Sequence, residues 1–155
     1  GEELARLGVA GLVGVDLIEE AAQAAERDRP GLYDDYVVCD LTRLGRRERE
    51  RICAIEPNLL TTVAALGFGD IPADAFVTAF DLIPDGGWIA FNIKAAFLDD
   101  ASPGGVAGLI DELIARGALE ERTRRRYPHR LSIGGDAIEY VALVGIKRAG
   151  APRRS

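Results

Sequence analysis

Two short apolar runs in the first 40 residues each end in an aspartate and are each followed by a helix-like pattern. In the segment GLVGVDLIEEAAQAA (11–25), the run Leu12–Val15 stops at Asp16. Further along the chain, the run Tyr36–Cys39 stops at Asp40. Apolar runs of this kind, without polar alternation, are typical of parallel strands that are covered on both faces. The chain is therefore expected to alternate strands with helices.

The same alternation continues through the middle of the chain, with Pro and Gly separating the segments. Helices are predicted at Glu2–Leu7, Glu19–Arg27, Arg43–Ile52, Ala73–Leu82 and Val106–Arg116, and further strands at Asn58–Leu66 and Trp88–Ile93. Gly117 is expected in the position that follows the last helical residues.

The last part of the chain has a different pattern. Two extended segments, Leu119–Ile133 and Glu139–Lys147, flank the sequence GGD at 134–136, which predicts an antiparallel hairpin. The fold class is therefore α/β: a mainly parallel sheet with helices on both faces and a C-terminal antiparallel hairpin.

Composition limits the classes of function. With 155 residues, 48% of them hydrophobic, we expect one domain at 1–148 and a short tail at 149–155. A net charge of −6 with 6% aromatic residues argues against a nucleic-acid surface. Without an apolar run of about 18 residues or a leader pattern, we expect no membrane contact and a cytoplasmic, bacterial protein. Cys39 and Cys53 are expected to be buried thiols, not a disulfide or part of a metal site.

Asp16 and Asp40 are the first candidates for function. Ligands of open parallel sheets bind outside the carboxyl ends of the strands, and both residues lie there in the predicted fold. The two oxygens of a carboxylate match the two hydroxyls of a ribose. Alternatively, Asp16 caps the helix that follows it.

A family resemblance rests on five stretches, GLVGVDLIEEAAQAA, YVVCDL, NLLTTVAALGFGDIP, LIPDGGWIAFNIK and the terminal hairpin. Together they resemble the class I S-adenosylmethionine-dependent methyltransferases, which are Rossmann-like, over almost the whole chain. Within that family the chain looks closest to small proteins similar to the Williams-Beuren-region methyltransferase-like group. The resemblance implies an enzyme that transfers a methyl group from S-adenosylmethionine to a small molecule, acting as a monomer or homodimer.

The resemblance also implies site residues. Asp16 would bind the ribose, Asp40 and Leu41 the adenine edge, and Ala64, Ala65 and Leu66 the methionine side, while Phe68 would face the acceptor. Leu17 and Ile18 would pack on the adenine, although they could equally be core residues. Gly1 would be the tail of the family's glycine-rich loop, and Asp70 is expected to cap the helix at Ala73 more than to contact substrate.

The chain departs from the family at its beginning. The first strand and the glycine-rich loop are missing, so we expect either further residues upstream or a chain that is not competent alone, because the sheet would have two unpaired edges. The spaced glycines Gly8, Gly11 and Gly14 imitate such a loop, but they precede and interrupt a strand and do not join it to a helix.

No catalytic group is identified, because methyl transfer depends largely on positioning and needs a base only when the acceptor loses a proton. His129, the single histidine, is expected to be an exposed residue of an edge strand more than a base. The alternating Arg122, Arg124 and Arg126 are expected to form a solvated face. The competing functions are a catalytically silent member of the family and a nicotinamide-dependent oxidoreductase.

Overall fold

The computed structural model describes residues 1–66, 71–99 and 105–151. The chain divides into two compact units, Gly1–Pro57 and Asn58–Ser155. No helix within the described ranges is long and apolar enough to cross a membrane.

The first unit contains a two-stranded parallel sheet. The strands pair in register from Val13 with Asp35 to Asp16 with Val38, and the N–H of Cys39 then donates to the carbonyl of Asp16 at 2.9 Å. The elements of this unit are α1 (Glu2–Arg6), β1 (Val13–Asp16), α2 (Glu19–Asp28), β2 (Asp35–Val38), a 3₁₀ turn (Leu41–Arg43) and α3 (Arg46–Cys53).

Helix α3 is attached to β2 by an ion pair. The guanidinium of Arg51 donates through Nε and Nη2 to the two oxygens of Asp35, and Nη2 also donates to the carbonyl of Tyr36 at 3.1 Å. The hydrogen bond from Arg51 holds the pKa of Asp35 below its usual value. The predicted start of this helix at Arg43 was wrong, because the chain leaves the helical path after the 3₁₀ turn and Gly45 is the N-cap residue.

The second unit contains a four-stranded sheet in the order β3-β4-β6-β5. Strands β3 and β4 are parallel, and β6 is antiparallel to both β4 and β5, so β3, β4 and β5 run in the same direction. The elements are β3 (Leu59–Leu66), α4 (Ala73–Leu82), β4 (Trp88–Lys94), α5 (Ala95–Asp99), α6 (Val106–Ala115), β5 (Leu119–Leu131) and β6 (Ala137–Lys147).

The parallel pairs and the terminal hairpin confirm the predicted fold class. Helix α5 was not predicted. Among the described strands, β1 pairs only with β2, and β3 pairs only with β4, so each has one edge without a strand partner.

The core of the second unit packs helices α4 and α6 against one face of the four-stranded sheet. Its fully buried side chains include Phe76 and Phe80 of α4, Leu109 and Leu113 of α6, and Ile89 of β4. Burial of a side chain of this size contributes about 1.5–3 kcal/mol, so each of these residues adds substantially to the apolar stabilisation of the unit.

A glycine ends helix α6 as predicted. Gly117 follows α6 with φ +70°, and its N–H donates to the carbonyl of Ile114 at 2.9 Å, while the N–H of Ala118 donates to Leu113 at 2.8 Å. These two bonds are the usual way in which a left-handed glycine satisfies the last carbonyls of a helix. Gly86, with φ +89°, forms the turn before β4.

Candidate functional site

Asp16 is the last residue of β1, at the carboxyl end of the parallel pair. Its Oδ1 accepts hydrogen bonds from the backbone N–H of Leu17 at 2.7 Å and of Ile18 at 3.2 Å. Within the described ranges, no hydrogen bond reaches its other oxygen, Oδ2. The loop backbone therefore fixes the orientation of the carboxylate while one acceptor oxygen stays available.

The alternative role of Asp16 as a helix cap is not what the structure shows. The N-cap residue of α2 is Ile18, and it makes no side-chain capping bond; the two N–H groups that Asp16 binds precede the helix. The carboxylate shapes the turn between β1 and α2, and does not bind the first turn of the helix.

Leu17 and Ile18 are exposed by 67% and 53%, so the alternative that they are core residues was wrong. Large apolar side chains next to a strand-end carboxylate form a small apolar surface, on which a flat ring can pack. Their contact with adenine stays a prediction, as does the role of Asp16.

Asp40 lies two residues beyond the end of β2 and is the N-cap of the 3₁₀ turn that begins at Leu41. Its Oδ1 accepts hydrogen bonds from the hydroxyl of Thr42 at 2.6 Å and from the backbone N–H of Thr42 at 2.8 Å. These bonds hold the pKa of Asp40 below its usual value, and the bond from the hydroxyl has the larger effect. Asp40 is exposed and Leu41 is half-buried. As at Asp16, the chain fixes one oxygen, and the described residues leave the other without a partner.

The two cysteines differ from the prediction. Cys39 and Cys53 are free thiols that are half-buried, not buried. Cys39 is partly buried, and this burial raises the pKa of its thiol. No group of three His, Cys, Asp or Glu side chains in the described ranges is placed to hold a metal ion.

The glycines of the first unit have structural roles. A Cβ on Gly14 would lie 2.4 Å from the ring of Tyr36, and a Cβ on Gly1 would lie 2.7 Å from the hydroxyl of Tyr33. Gly8 has φ +81°, after the end of α1. Gly8 therefore serves a turn and Gly14 serves close packing, while a cofactor role for Gly1 stays a prediction.

At the carboxyl end of β3, Ala64 has the left-handed φ of +56°, and the pairing with β4 shifts register between Thr62 and Leu66. The N–H of Ala64 donates to the side-chain oxygen of Asn92 on β4. Ala64 is exposed, Ala65 is half-buried, and Leu66 belongs to the apolar core. A non-glycine residue in this conformation is strained, and such strain is concentrated at functional sites.

Asn92, Tyr127 and His129 are linked to this strand end. The buried Asn92, 6% exposed, donates through Nδ2 to the hydroxyl of Tyr127 at 2.8 Å, and that hydroxyl lies 3.3 Å from Nδ1 of His129. Sequence reasoning missed Asn92 and Tyr127. The one available signal was a polar residue inside the apolar strand WIAFNIK (88–94).

Three arginines of β5 are paired with carboxylates, which supports the prediction of a solvated face for them. Arg122 pairs with Glu120 at 2.8 Å, Arg124 with Glu121 at 2.8 Å, and Arg126 with Glu139 at 3.4 Å. The alternation of side chains between the two faces of β5 is interrupted at Arg122, because the register with β6 shifts between Glu121 and Thr123.

Phe68 and Asp70, the predicted acceptor contact and helix cap, lie outside the described residues.

Comparison with protein-family models and with curated protein sequences found no match. Solved structures do match. The N-methyltransferase NodS from Bradyrhizobium japonicum WM9 is 15% identical with a TM-score of 0.56, and the match covers 90% of this chain and 74% of that one. A structure of NodS in complex with S-adenosyl-l-homocysteine matches with a TM-score of 0.58.

Two further structures are described as S-adenosylmethionine-dependent methyltransferases. The one from Methanosarcina mazei is 13% identical with a TM-score of 0.61, covering 95% of this chain and 86% of that one. The one from Anabaena variabilis is 11% identical with a TM-score of 0.64, covering 95% and 72%. At these identities the likeness shows the fold: this chain has the fold of the S-adenosylmethionine-dependent methyltransferases, as the sequence resemblance implied.

Proposed function

We propose that this protein is an S-adenosylmethionine-dependent methyltransferase that acts on a small molecule. The observation that carries the proposal is the carboxylate of Asp16, held by the loop backbone at the end of β1 with one oxygen available and two exposed apolar side chains beside it. A nucleoside with a ribose diol and a flat base fits this combination of groups. The shared fold supports the same conclusion.

In this proposal, Asp16 accepts hydrogen bonds from the ribose hydroxyls, and Leu17 and Ile18 pack on the adenine. Asp40 and Leu41 bind the adenine edge, where the lowered pKa of Asp40 keeps the carboxylate ionised as an acceptor. The contacts of Ala64, Ala65 and Leu66 with the methionine part, and of Phe68 with the acceptor, stay predictions of the sequence resemblance.

The cofactor supplies a methyl group on a positively charged sulfur, which leaves as a neutral thioether. The residues of this chain therefore need to position the acceptor in line with that methyl group and to exclude water, and no metal is required for this chemistry.

The test is calorimetric titration of the purified full-length protein with S-adenosylhomocysteine and, separately, with NADH. The proposal predicts binding of the first and none of the second. Binding of NADH alone would identify a nicotinamide enzyme, and binding of neither would overturn the proposal. Formation of S-adenosylhomocysteine from S-adenosylmethionine in the presence of a small-metabolite mixture then separates a working enzyme from a silent binder.

A further inference from the structure

We propose that one face of the terminal hairpin binds a small polyanion, a molecule with several phosphate or carboxylate groups, through Arg125, His129 and Arg130. This binding goes beyond the proposed function. Because all three residues lie in the second unit, it does not depend on whether a cofactor binds at Asp16.

The register of the hairpin places Arg125 and Arg130 on the same face of the sheet. Arg125 lies opposite Ala142 of β6, and Arg130 lies opposite Ile138. Successive side chains of a strand point to opposite faces, so these two partners, an even number of residues apart, point the same way. We call the side of the hairpin that carries the two arginines the Arg125 face.

The opposite face of the hairpin has its charges matched. The register places Arg124 and Arg126 there, together with Glu121 and Glu139. Arg124 pairs with Glu121 at 2.8 Å, and Arg126 pairs with Glu139 at 3.4 Å. Both guanidinium groups of that face therefore have a partner within the protein.

On the Arg125 face the charges are not matched. Within the part of the chain that the structure describes, neither Arg125 nor Arg130 has a carboxylate partner, and both are exposed. Glu120, the acid that lies on this face near the start of β5, already pairs with Arg122 at 2.8 Å and with Arg148. A guanidinium group binds phosphate or carboxylate through two parallel hydrogen bonds, so the two unpaired arginines are suited to an anionic ligand.

His129 adds a third polar group to the Arg125 face. The register between β5 and β6 shifts between Pro128 and Arg130, so His129 is the extra residue of a bulge. Its ring centroid lies 4.4 Å from that of the buried Tyr140, and the hydroxyl of Tyr127 lies 3.3 Å from its Nδ1. Since these two tyrosines lie opposite each other on the Arg125 face, the exposed imidazole is held on that face as well.

The hydrogen bonds around Tyr127 determine which nitrogen of His129 carries the proton. Oδ1 of Asn92 accepts from the N–H of Ala64, so its Nδ2 donates to the hydroxyl oxygen of Tyr127 at 2.8 Å. The O–H of Tyr127 then donates to Nδ1 of His129. A neutral imidazole in this arrangement has its proton on Nε2, and a protonated one has a proton there too. His129 therefore offers Nε2–H as a donor in both states, which suits an anion.

The extent of the Arg125 face sets the size of the ligand. Ala142 and Ile138, the partners of the two arginines, lie about 13 Å apart along an extended strand. A ligand with several anionic groups within that span can bind the long arginine side chains and the imidazole between them. A long nucleic acid would also have to approach the rest of a chain whose net charge is −6. The charge distribution therefore favours a small polyanion over a nucleic acid.

Calorimetric titration of the purified protein with tripolyphosphate, and separately with citrate, tests this site. The buffer contains about 0.1 M salt, which screens exposed charges more than about 10 Å apart. Binding of at least one ligand is expected, and Arg125→Gln and Arg130→Gln are each expected to weaken it roughly tenfold, as for loss of a hydrogen-bonded charge. Arg124→Gln, on the opposite face, is the matched control and should leave affinity nearly unchanged. Binding of neither ligand, or equal affinities of the Arg125→Gln and Arg124→Gln proteins, would overturn the proposal.

The single histidine of the chain locates the ligand, because the imidazole nitrogens give one set of ¹⁵N resonances. In the wild-type protein the neutral ring is expected to carry its proton mainly on Nε2, and this resonance should move on saturation with tripolyphosphate. Tyr127→Phe removes the hydroxyl that positions the imidazole, so the share of the tautomer with the proton on Nδ1 is expected to rise. A wild-type proton mainly on Nδ1, or an Nε2 resonance that stays in place at saturation, would contradict the proposed site.

A single-stranded oligonucleotide, titrated under the same conditions, separates the two sources of phosphate. It is expected to bind more weakly than tripolyphosphate. Tighter binding of the oligonucleotide that is lost in Arg125→Gln would show that the face serves nucleic acid, and the small polyanion would be the wrong ligand.

Discussion

The carboxylate of Asp16 binds the backbone N–H of Leu17 at 2.7 Å, while the side chain of that leucine is 67% exposed. The backbone N–H of Leu17 thus orients the acid, and the side chain of the same residue presents an apolar surface beside it. In the proposed site, the carboxylate of Asp16 and the apolar side chain of Leu17 are therefore two contributions to ligand binding, and each can be removed by its own substitution.

Asp16→Asn is expected to weaken binding of S-adenosylhomocysteine by about 1.5–3 kcal/mol, or roughly tenfold to 100-fold, as for loss of hydrogen bonds to a charged group. The asparagine oxygen can still accept the N–H bonds of the loop, so the turn is retained. Calorimetric titration measures the effect, with Glu20→Gln in α2 as an exposed control that should leave affinity unchanged. Unchanged affinity in a folded Asp16→Asn protein would exclude the ribose contact.

Leu17→Ser is expected to weaken the same ligand by about 1 kcal/mol, because packing on adenine removes apolar surface from water. The side chain is exposed, so the free energy of unfolding should change little. Leu7→Ser is the matched control, since Leu7 is 80% exposed and lies outside the proposed site. Equal affinities of the two variants would show that Leu17 does not contact the ligand.

The ion pair between Arg51 and Asp35 gives a prediction for pH. In the folded state the hydrogen bond from Arg51 lowers the pKa of Asp35 below the value of about 3.9 for an unfolded chain. A lowered carboxyl pKa stabilises the folded state above the unfolded pKa, and this contribution is lost as pH falls through the folded pKa. The stability difference between wild type and Arg51→Gln is therefore expected to be constant near neutral pH and to shrink below about pH 4.

Amide hydrogen exchange of the β2 residues measures this local stability at each pH. Arg46→Gln is the control on the same helix, because Arg46 forms an exposed pair with Glu50 at 2.7 Å, and such pairs contribute little. A difference for Arg51→Gln that persists unchanged to pH 3 would contradict the prediction.

Much of the fold could be predicted because its signals are local. The apolar run that ends at Asp16, the glycine after α6 and the turn before β4 each depend on residues close in sequence. The missed helix α5 begins directly after β4, at Ala95, with no intervening turn residue or polar cap to mark its start.

The site was only partly predictable for the same reason. Strand ends follow from local patterns, but the bond between Asn92 and Tyr127 joins residues 35 positions apart and depends on the register of β4, β6 and β5. The bulge at His129 likewise depends on pairing across the hairpin. Periodicity in one sequence carries no information on these contacts, so the environment of the single histidine emerged only with the structure.

Lys147 is a further residue that the sequence did not single out, and it supplies the last prediction. At 4% exposure, its Nζ donates to the carbonyls of Ile83 at 2.6 Å and Phe80 at 3.2 Å, at the end of α4. Lys147→Met keeps a long side chain but leaves helix-end carbonyls without a donor, so the free energy of unfolding is expected to fall by about 1–3 kcal/mol.

Trp88, the single tryptophan, reports unfolding of this unit by fluorescence during urea titration. Arg148→Met removes only an exposed pair with Glu120 and should cost about 0.5 kcal/mol or less. Equal losses for both variants would show that the buried ammonium does not stabilise the end of the helix.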